Sequence, residues 1–154
     1  MKKSWMTLLL VPVPFLIGFA MSKMMMWDFF SRGMPLLPMG LIFVVFWAWV
    51  GSVLARLEMK KVYSFLLGNS LNIISFLLLI WFFLLEPGPI TNVWVGRLNI
   101  FAQYYILPMV NLASQTFRIF TNHLHGTIIM FFSNFLLTLV FSAGFFYRVR
   151  KEEY

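Results

Sequence analysis

The chain contains no cysteine and only five acidic residues, Asp28, Glu58, Glu86, Glu152 and Glu153, in 154 positions. Without cysteine there are no disulfides, thiolate metal sites, thiol nucleophiles or thiol redox chemistry. With so few acids, and no two of them forming an evident paired-carboxylate site, general acid-base chemistry loses its usual parts. Charge of either sign is scarce at 11% of residues, against about 25% in soluble domains. No internal repeat, low-complexity linker or long hydrophilic stretch interrupts the chain, so a single polytopic domain over residues 1–154 is expected. GxSxG, HExxH, Walker-type and Gly-rich dinucleotide motifs are likewise missing from the sequence, which leaves hydrolytic and nucleotide-driven reactions without visible apparatus.

What is present is apolar. Hydrophobic residues make up 61% of the chain and aromatic residues 19%, more than a soluble domain of this size could bury. The lipid bilayer is therefore the expected partner. The net charge of +7 does not point to nucleic acid, because the twelve Lys and Arg stand at the ends of apolar runs and form no single basic face.

Those charges divide the chain. Lys3 to Lys23 encloses 19 uncharged residues, Arg32 to Arg56 encloses 23, Lys61 to Glu86 encloses 24 and Arg118 to Arg148 encloses 29. Each run can supply the roughly 20 residues that cross about 30 Å of hydrocarbon. Lipid demands that backbone amides bond within their own segment, and the alternation of barrel strands is absent, so helices are expected. The reading is an all-α integral membrane fold with four transmembrane helices, at about 5–26, 34–55, 62–85 and 126–147. The first run also fits a secretory signal peptide, with MKK ahead of the apolar stretch and Gly18 and Ala20 placed like a cleavage site. Pro12 and Pro14 should loosen its start.

RLNIFAQYYILPMVNLASQTFR, Arg97 to Arg118, has 20 uncharged residues between two arginines and is the ambiguous segment. At 100° per residue, Asn99, Gln103, Asn111, Ser114, Gln115, Arg118 and Asn122 share one arc, and Leu98, Phe101, Tyr105, Met109, Leu112 and Ile119 the other, with Ile100, Leu107 and Val110 intruding on the polar side. An amphipathic helix over about 97–121 follows, with Pro108 expected to break it. With four spans and both termini cytoplasmic, eight Lys and Arg lie inside and four outside; a fifth span makes six against six. The positive-inside rule favours four, which makes 97–121 an extracytoplasmic amphipathic or re-entrant helix between spans three and four. Short loops and a compact form suggest a bacterial cell membrane.

Every Asp, Glu, Lys and Arg falls at or beyond an expected helix end, so no intramembrane charge marks a site. Asp28 with Arg32 and Glu58 with Lys61 have the spacing of helical ion pairs. The polar residues inside the spans are uncharged: Asn69 and Asn72 in GNSLNIIS, and Ser133, Asn134, Thr138 and Ser142 in SNFLLTLVFSAG. An asparagine facing lipid leaves amide groups unpaired at a cost of roughly several kcal/mol, so Asn69, Asn72, Asn134 and Thr138 should face another helix. They form either an interhelical hydrogen-bonded seam, the favoured reading, or a ligand-recognition surface. Trp47 and Trp49 need partners for their indole N–H groups. Gly18 with Ser22, and Ala48 and Gly51 with Ser52 and Ala55, have small-xxx-small spacing for close helix packing.

His123 and His125, with Gln103 and Asn111, make up the interfacial candidates. Two histidines without cysteine or converging acids are a thin metal site, and neither metal nor cofactor is assigned; Thr127 is the expected cap of the last helix. The functional expectation is a non-enzymatic accessory, assembly or regulatory subunit of a larger membrane complex, with another membrane protein or a second copy as partner. The alternatives are a small oligomeric transporter or channel lined by Asn69, Asn72 and Asn134, and an enzyme or lipid-binding protein acting at the outer interface through the histidines.

Overall fold

The computed structural model describes residues 7–26, 36–85, 93–119 and 125–153, and within these all regular structure is helical. The elements are α1 (Val13–Met25), α2 (Leu36–Leu54), α3 (Lys61–Ile80, continued by one π-helical turn at Trp81–Leu85), α4 (Val93–Arg118) and α5 (Gly126–Glu153). Among them, α2, α3 and α5 are long and apolar enough to cross a membrane. The architecture is that of a helical membrane protein. Each long helix buries one stripe and exposes another of large apolar residues: Ile42, Val45 and Trp49 on α2, Leu66, Ile73 and Leu77 on α3, Phe135, Leu139 and Phe146 on α5. On a soluble protein such surfaces would aggregate; facing lipid tails they cost nothing.

The three long helices form a bundle whose directions follow from their contacts. Phe65 meets Phe145, Asn72 meets Thr138 and Phe76 meets Phe131, so α3 and α5 are antiparallel. A Cβ added at Gly51 would press on the backbone of Phe141 and Phe145, one at Gly144 would overlap the carbonyl of Ala48, and the Trp47 indole donates to the Leu137 carbonyl at 3.2 Å, so α2 and α5 are parallel. Ala48 and Gly51 thus serve the close packing expected of them, against α5, and Trp47 has its indole partner. The link at 55–60 is closed by Ser64, whose hydroxyl donates to the Leu54 carbonyl, and by the Lys61 ammonium, which donates to the Ala55 carbonyl at 2.5 Å.

Because α5 runs parallel to α2, the end of α3 and the start of α5 lie at the same end of the bundle. The chain between them includes α4. Within that segment α4 touches all three long helices at one level: Ala102 accepts from Ser75 on α3, Pro108 and Leu112 lie beside Gly40 on α2, and Phe117 packs on Phe132 of α5. Ser75 and Phe132 are themselves neighbours of the Phe76–Phe131 pair. A helix of 26 residues, about 39 Å long at 1.5 Å per residue, therefore lies across the bundle.

Two expectations for this region are corrected. Pro108 does not break the helix, which continues through it. The proline removes the donor for the carbonyl four residues back, that of Tyr104, and Gly18 of α1 closes on that carbonyl. The buried face is also turned by roughly 50° at 100° per residue from the expected arc: Tyr105 and Met109 are buried, but with Ala102, Ile106 and Ala113, while Leu98 and Ile119 are exposed. The alanines let α4 approach its neighbours closely.

The first run departs from the span expected over 5–26. Its helix has 13 residues, below the roughly 20 needed to cross, and turns occupy Leu9 to Pro12 ahead of it, with Pro12 as the N-cap and Pro14 in the first turn of the helix. Moreover α1 lies along α4: Phe15 packs on Phe101 and Tyr104, Gly18 on Tyr104, and Met21 and Met25 reach the level of Val110 and Ser114.

Candidate functional site

The polar seam lies where α3 and α5 face each other. Asn72 and Asn134 clasp reciprocally, each side-chain amide donating to the other's backbone carbonyl at 3.4 Å. The Asn72 amide also donates to the Thr138 hydroxyl at 2.6 Å, and that hydroxyl donates to the Asn134 carbonyl at 3.2 Å. On the other side, Asn134 Nδ2 reaches Ser75 Oγ at 3.5 Å, and Ser75 donates to the Ala102 carbonyl at 3.1 Å. Thr138, Asn72, Asn134 and Ser75 thus join α5, α3 and α4 in one chain of hydrogen bonds. Asn72, Ser75 and Asn134 are buried and Thr138 half-buried, so water competes little with these bonds.

Asn69, expected to face another helix, hydrogen-bonds within its own: its amide donates to the Phe65 carbonyl at 3.1 Å. Four residues back along a helix that carbonyl is always within reach of a short polar side chain, so burial did not require a partner across the seam. Three buried polar atoms have no hydrogen-bond partner among the described residues: Asn69 Oδ1, Asn72 Oδ1 and the Tyr105 hydroxyl. Asn72, Asn134 and Thr138 also form the floor of a groove of about 180 Å³ walled by Ile73, Phe76 and Phe135. This site combines unspent acceptor capacity at Asn72 with an opening on an apolar surface.

The interfacial candidates are spread out. Gln103 is half-buried and donates to Asn99 Oδ1 at 3.1 Å, one turn apart on α4. Asn111 lines a smaller cleft of about 140 Å³ with Met21, Leu36 and Ser114, between α1, α2 and α4, and its carbonyl accepts from the Ser114 hydroxyl. His125 is exposed and precedes α5, its carbonyl accepting from Ile129 N–H at 3.1 Å. His125 therefore occupies the cap position, and Thr127 lies inside the first turn. His123, Asp28 and Arg32 lie outside the described residues.

The Glu58–Lys61 pair is replaced. Glu58 stands in the non-helical link, where helical spacing has no meaning, and Lys61 bonds instead to Glu152 at 3.3 Å across to the end of α5. Glu152 also takes Arg148 Nε at 2.9 Å. The Lys61–Glu152 bridge ties the start of α3 to the end of α5, and as an exposed pair it contributes little energy. Ser75, which ties the seam to α4, is not among the residues expected there; its spacing of three from Asn72 is the signal the sequence offers for it. No protein-family profile matches the chain, and no curated protein or solved structure is detectably similar to it.

Proposed function

We propose that the chain is a small, non-enzymatic integral membrane protein that acts as an accessory, assembly or regulatory subunit of a larger membrane complex. The observation that carries this reading is the reciprocal Asn72–Asn134 clasp: each side-chain amide nitrogen donates to the facing backbone carbonyl, which suits a device that fixes helix register more than one that handles a substrate. In this reading α2, α3 and α5 cross the bilayer, with the 55–60 link and the C-terminal tail cytoplasmic. Arg56, Lys60, Lys61, Arg148, Arg150 and Lys151 then sit on the cation-rich side, and α4 forms a re-entrant or interfacial layer at the outer end. A first run that crosses gives four spans and cations divided eight to four. The packing of α1 along α4 supports a second layout, in which α1 joins the outer layer and the N-terminus is extracytoplasmic.

Purification from native membranes in mild detergent tests the subunit role. A stoichiometric membrane partner that is lost when exposed apolar residues such as Val45 or Leu139 are exchanged for bulkier ones supports it; a monodisperse species that is always alone rejects it. A second function, an oligomeric transporter or channel, is supported by the groove of about 180 Å³ beside Asn72 and Asn134. Unchanged flux in vesicles carrying Asn72→Leu with Asn134→Leu would reject it.

A further inference from the structure

Outside the seam lies a groove of about 500 Å³ between α2 and α5, near the ends joined by Lys61 and Glu152. Its two walls are matched. On α2 the lining runs from Ala48 to Ser52 and continues to Arg56 in the link that follows, and on α5 it runs from Gly144 through Tyr147 to Lys151. Because the helices are parallel and touch at Ala48 and Gly144, both walls change from small residues to cations in the same direction, over about 10 Å on α5 at 1.5 Å per residue.

The cationic mouth holds Arg56, Arg148 and Lys151 and no acid in its lining. Arg148 gives one donor to Glu152, of the five on a guanidinium, whereas the side chains of Arg56 and Lys151 have no partner among the described residues. Trp49 and Tyr147 flank the groove and are exposed, the residue types that settle at the headgroup level. The lower part is floored by the backbone contact of the two helices, and Ala143 forms part of its exposed wall. A slot of small residues opening on the apolar surface and ending in unpaired cations has the polarity of one phospholipid molecule.

We infer that this groove binds an anionic glycerophospholipid, its phosphate held by Arg56, Lys151 and Arg148 and an acyl chain lying in the slot between Ala48 and Ala143. Basic pockets between transmembrane helices recognise acidic headgroups in this way. Tyr147 and Trp49 would sit at the glycerol level. The inference requires α2 and α5 to lie in the bilayer and is independent of any subunit role.

Native mass spectrometry of the purified full chain, titrated with phosphatidylglycerol or with phosphatidylcholine of the same acyl chains, tests it. The bound fraction of phosphatidylglycerol should exceed that of phosphatidylcholine on the order of tenfold. Arg56→Gln with Lys151→Gln should bring it down to the phosphatidylcholine level, while the charge-matched pair Lys60→Gln with Arg150→Gln, outside the groove, should leave it within about twofold. Ala143→Phe, which keeps every charge and fills the slot, should lower it as well; if that variant does not fold, Ser52→Phe serves. Equal binding of the two lipids, or equal losses from the two glutamine pairs, would overturn the inference. So would displacement by millimolar inorganic phosphate together with full binding by the slot-filling variant, which would assign the cations to phosphate alone.

Discussion

Gly18 of α1 packs directly on the backbone carbonyl of Tyr104 in α4, the carbonyl whose helical donor Pro108 has removed. The two irregularities fit each other. A proline in a helix interior both deletes an N–H and crowds the oxygen four residues earlier, so that oxygen turns outward, and only a residue without a Cβ can come close enough to cover it. The Cα–H of glycine is a weak donor suited to such a contact.

A first prediction contrasts two glycines. Gly18→Ala would drive a methyl group into the Tyr104 carbonyl, with backbone on the far side and nothing flexible to yield, so α1 should be pried from α4. Gly40→Ala would place its methyl 3.5 Å from the Pro108 carbonyl oxygen and 3.6 Å from Leu112 Cβ, ordinary contact, and should gain about 0.5–1 kcal/mol from helix propensity. Thermal unfolding in one detergent should lower the midpoint for the first variant and hold or raise it for the second. A Gly18→Ala protein as stable as wild type would mean that α1 does not pack here.

The seam makes a sharper prediction about coupling. Asn72 and Asn134 each donate to the other's backbone, a group that survives substitution of the side chain, whereas Asn72 and Thr138 bond side chain to side chain. Double-mutant cycles should therefore give a larger interaction energy for Asn72→Leu with Thr138→Val, about 0.6–1.7 kcal/mol, than for Asn72→Leu with Asn134→Leu. The reverse order would show that the two asparagines meet through their amides.

Tyr105 is fully buried and its hydroxyl has no hydrogen-bond partner among the described residues. A buried hydroxyl without a partner costs about 1–3 kcal/mol, so Tyr105→Phe should unfold at the same temperature or higher. A clear loss of stability would reveal a partner, such as bound water or another chain, at that hydroxyl.

What could be read from the sequence, and what could not, divides along a physical line. The three long helices were legible because charges cannot sit in hydrocarbon, so Arg56, Lys61 and Arg148 mark apolar ends whatever the tertiary structure. Asn72, Asn134 and Thr138 were legible for the same reason, since lipid offers an amide no partner. Asn69 looked equivalent, but a side chain that bonds its own helix leaves no trace in spacing. Pro108 was misread because its freed carbonyl is met by Gly18, 86 positions earlier in a sequence of 154, and helix rules see only neighbours. The face of α4 is not legible from its large apolar residues because small ones, Ala102 and Ala113, lie at its contacts. The cationic groove was hidden altogether: Arg56 and Lys151 come together only because α2 and α5 run parallel.

The last prediction concerns the side on which each end lies. The Lys61–Glu152 bridge and the closure of the 55–60 link put the start of α3 and the end of α5 at one end of the bundle, which the proposed four-span layout, with its excess of cations there, assigns to the cytoplasm. The chain has no cysteine, so single-cysteine variants report without background. Cysteine at Lys60 and at Glu153 should resist a membrane-impermeant maleimide in intact cells and react after permeabilisation, whereas cysteine at His125 should react in intact cells. Labelling at 153 from outside would invert or break the bundle's placement. Cysteine at Lys3 then separates the two layouts of the first run: protection means that the N-terminal segment crosses, and reaction in intact cells means that α1 lies with α4 in the outer layer, as their packing along Gly18 and Tyr104 supports.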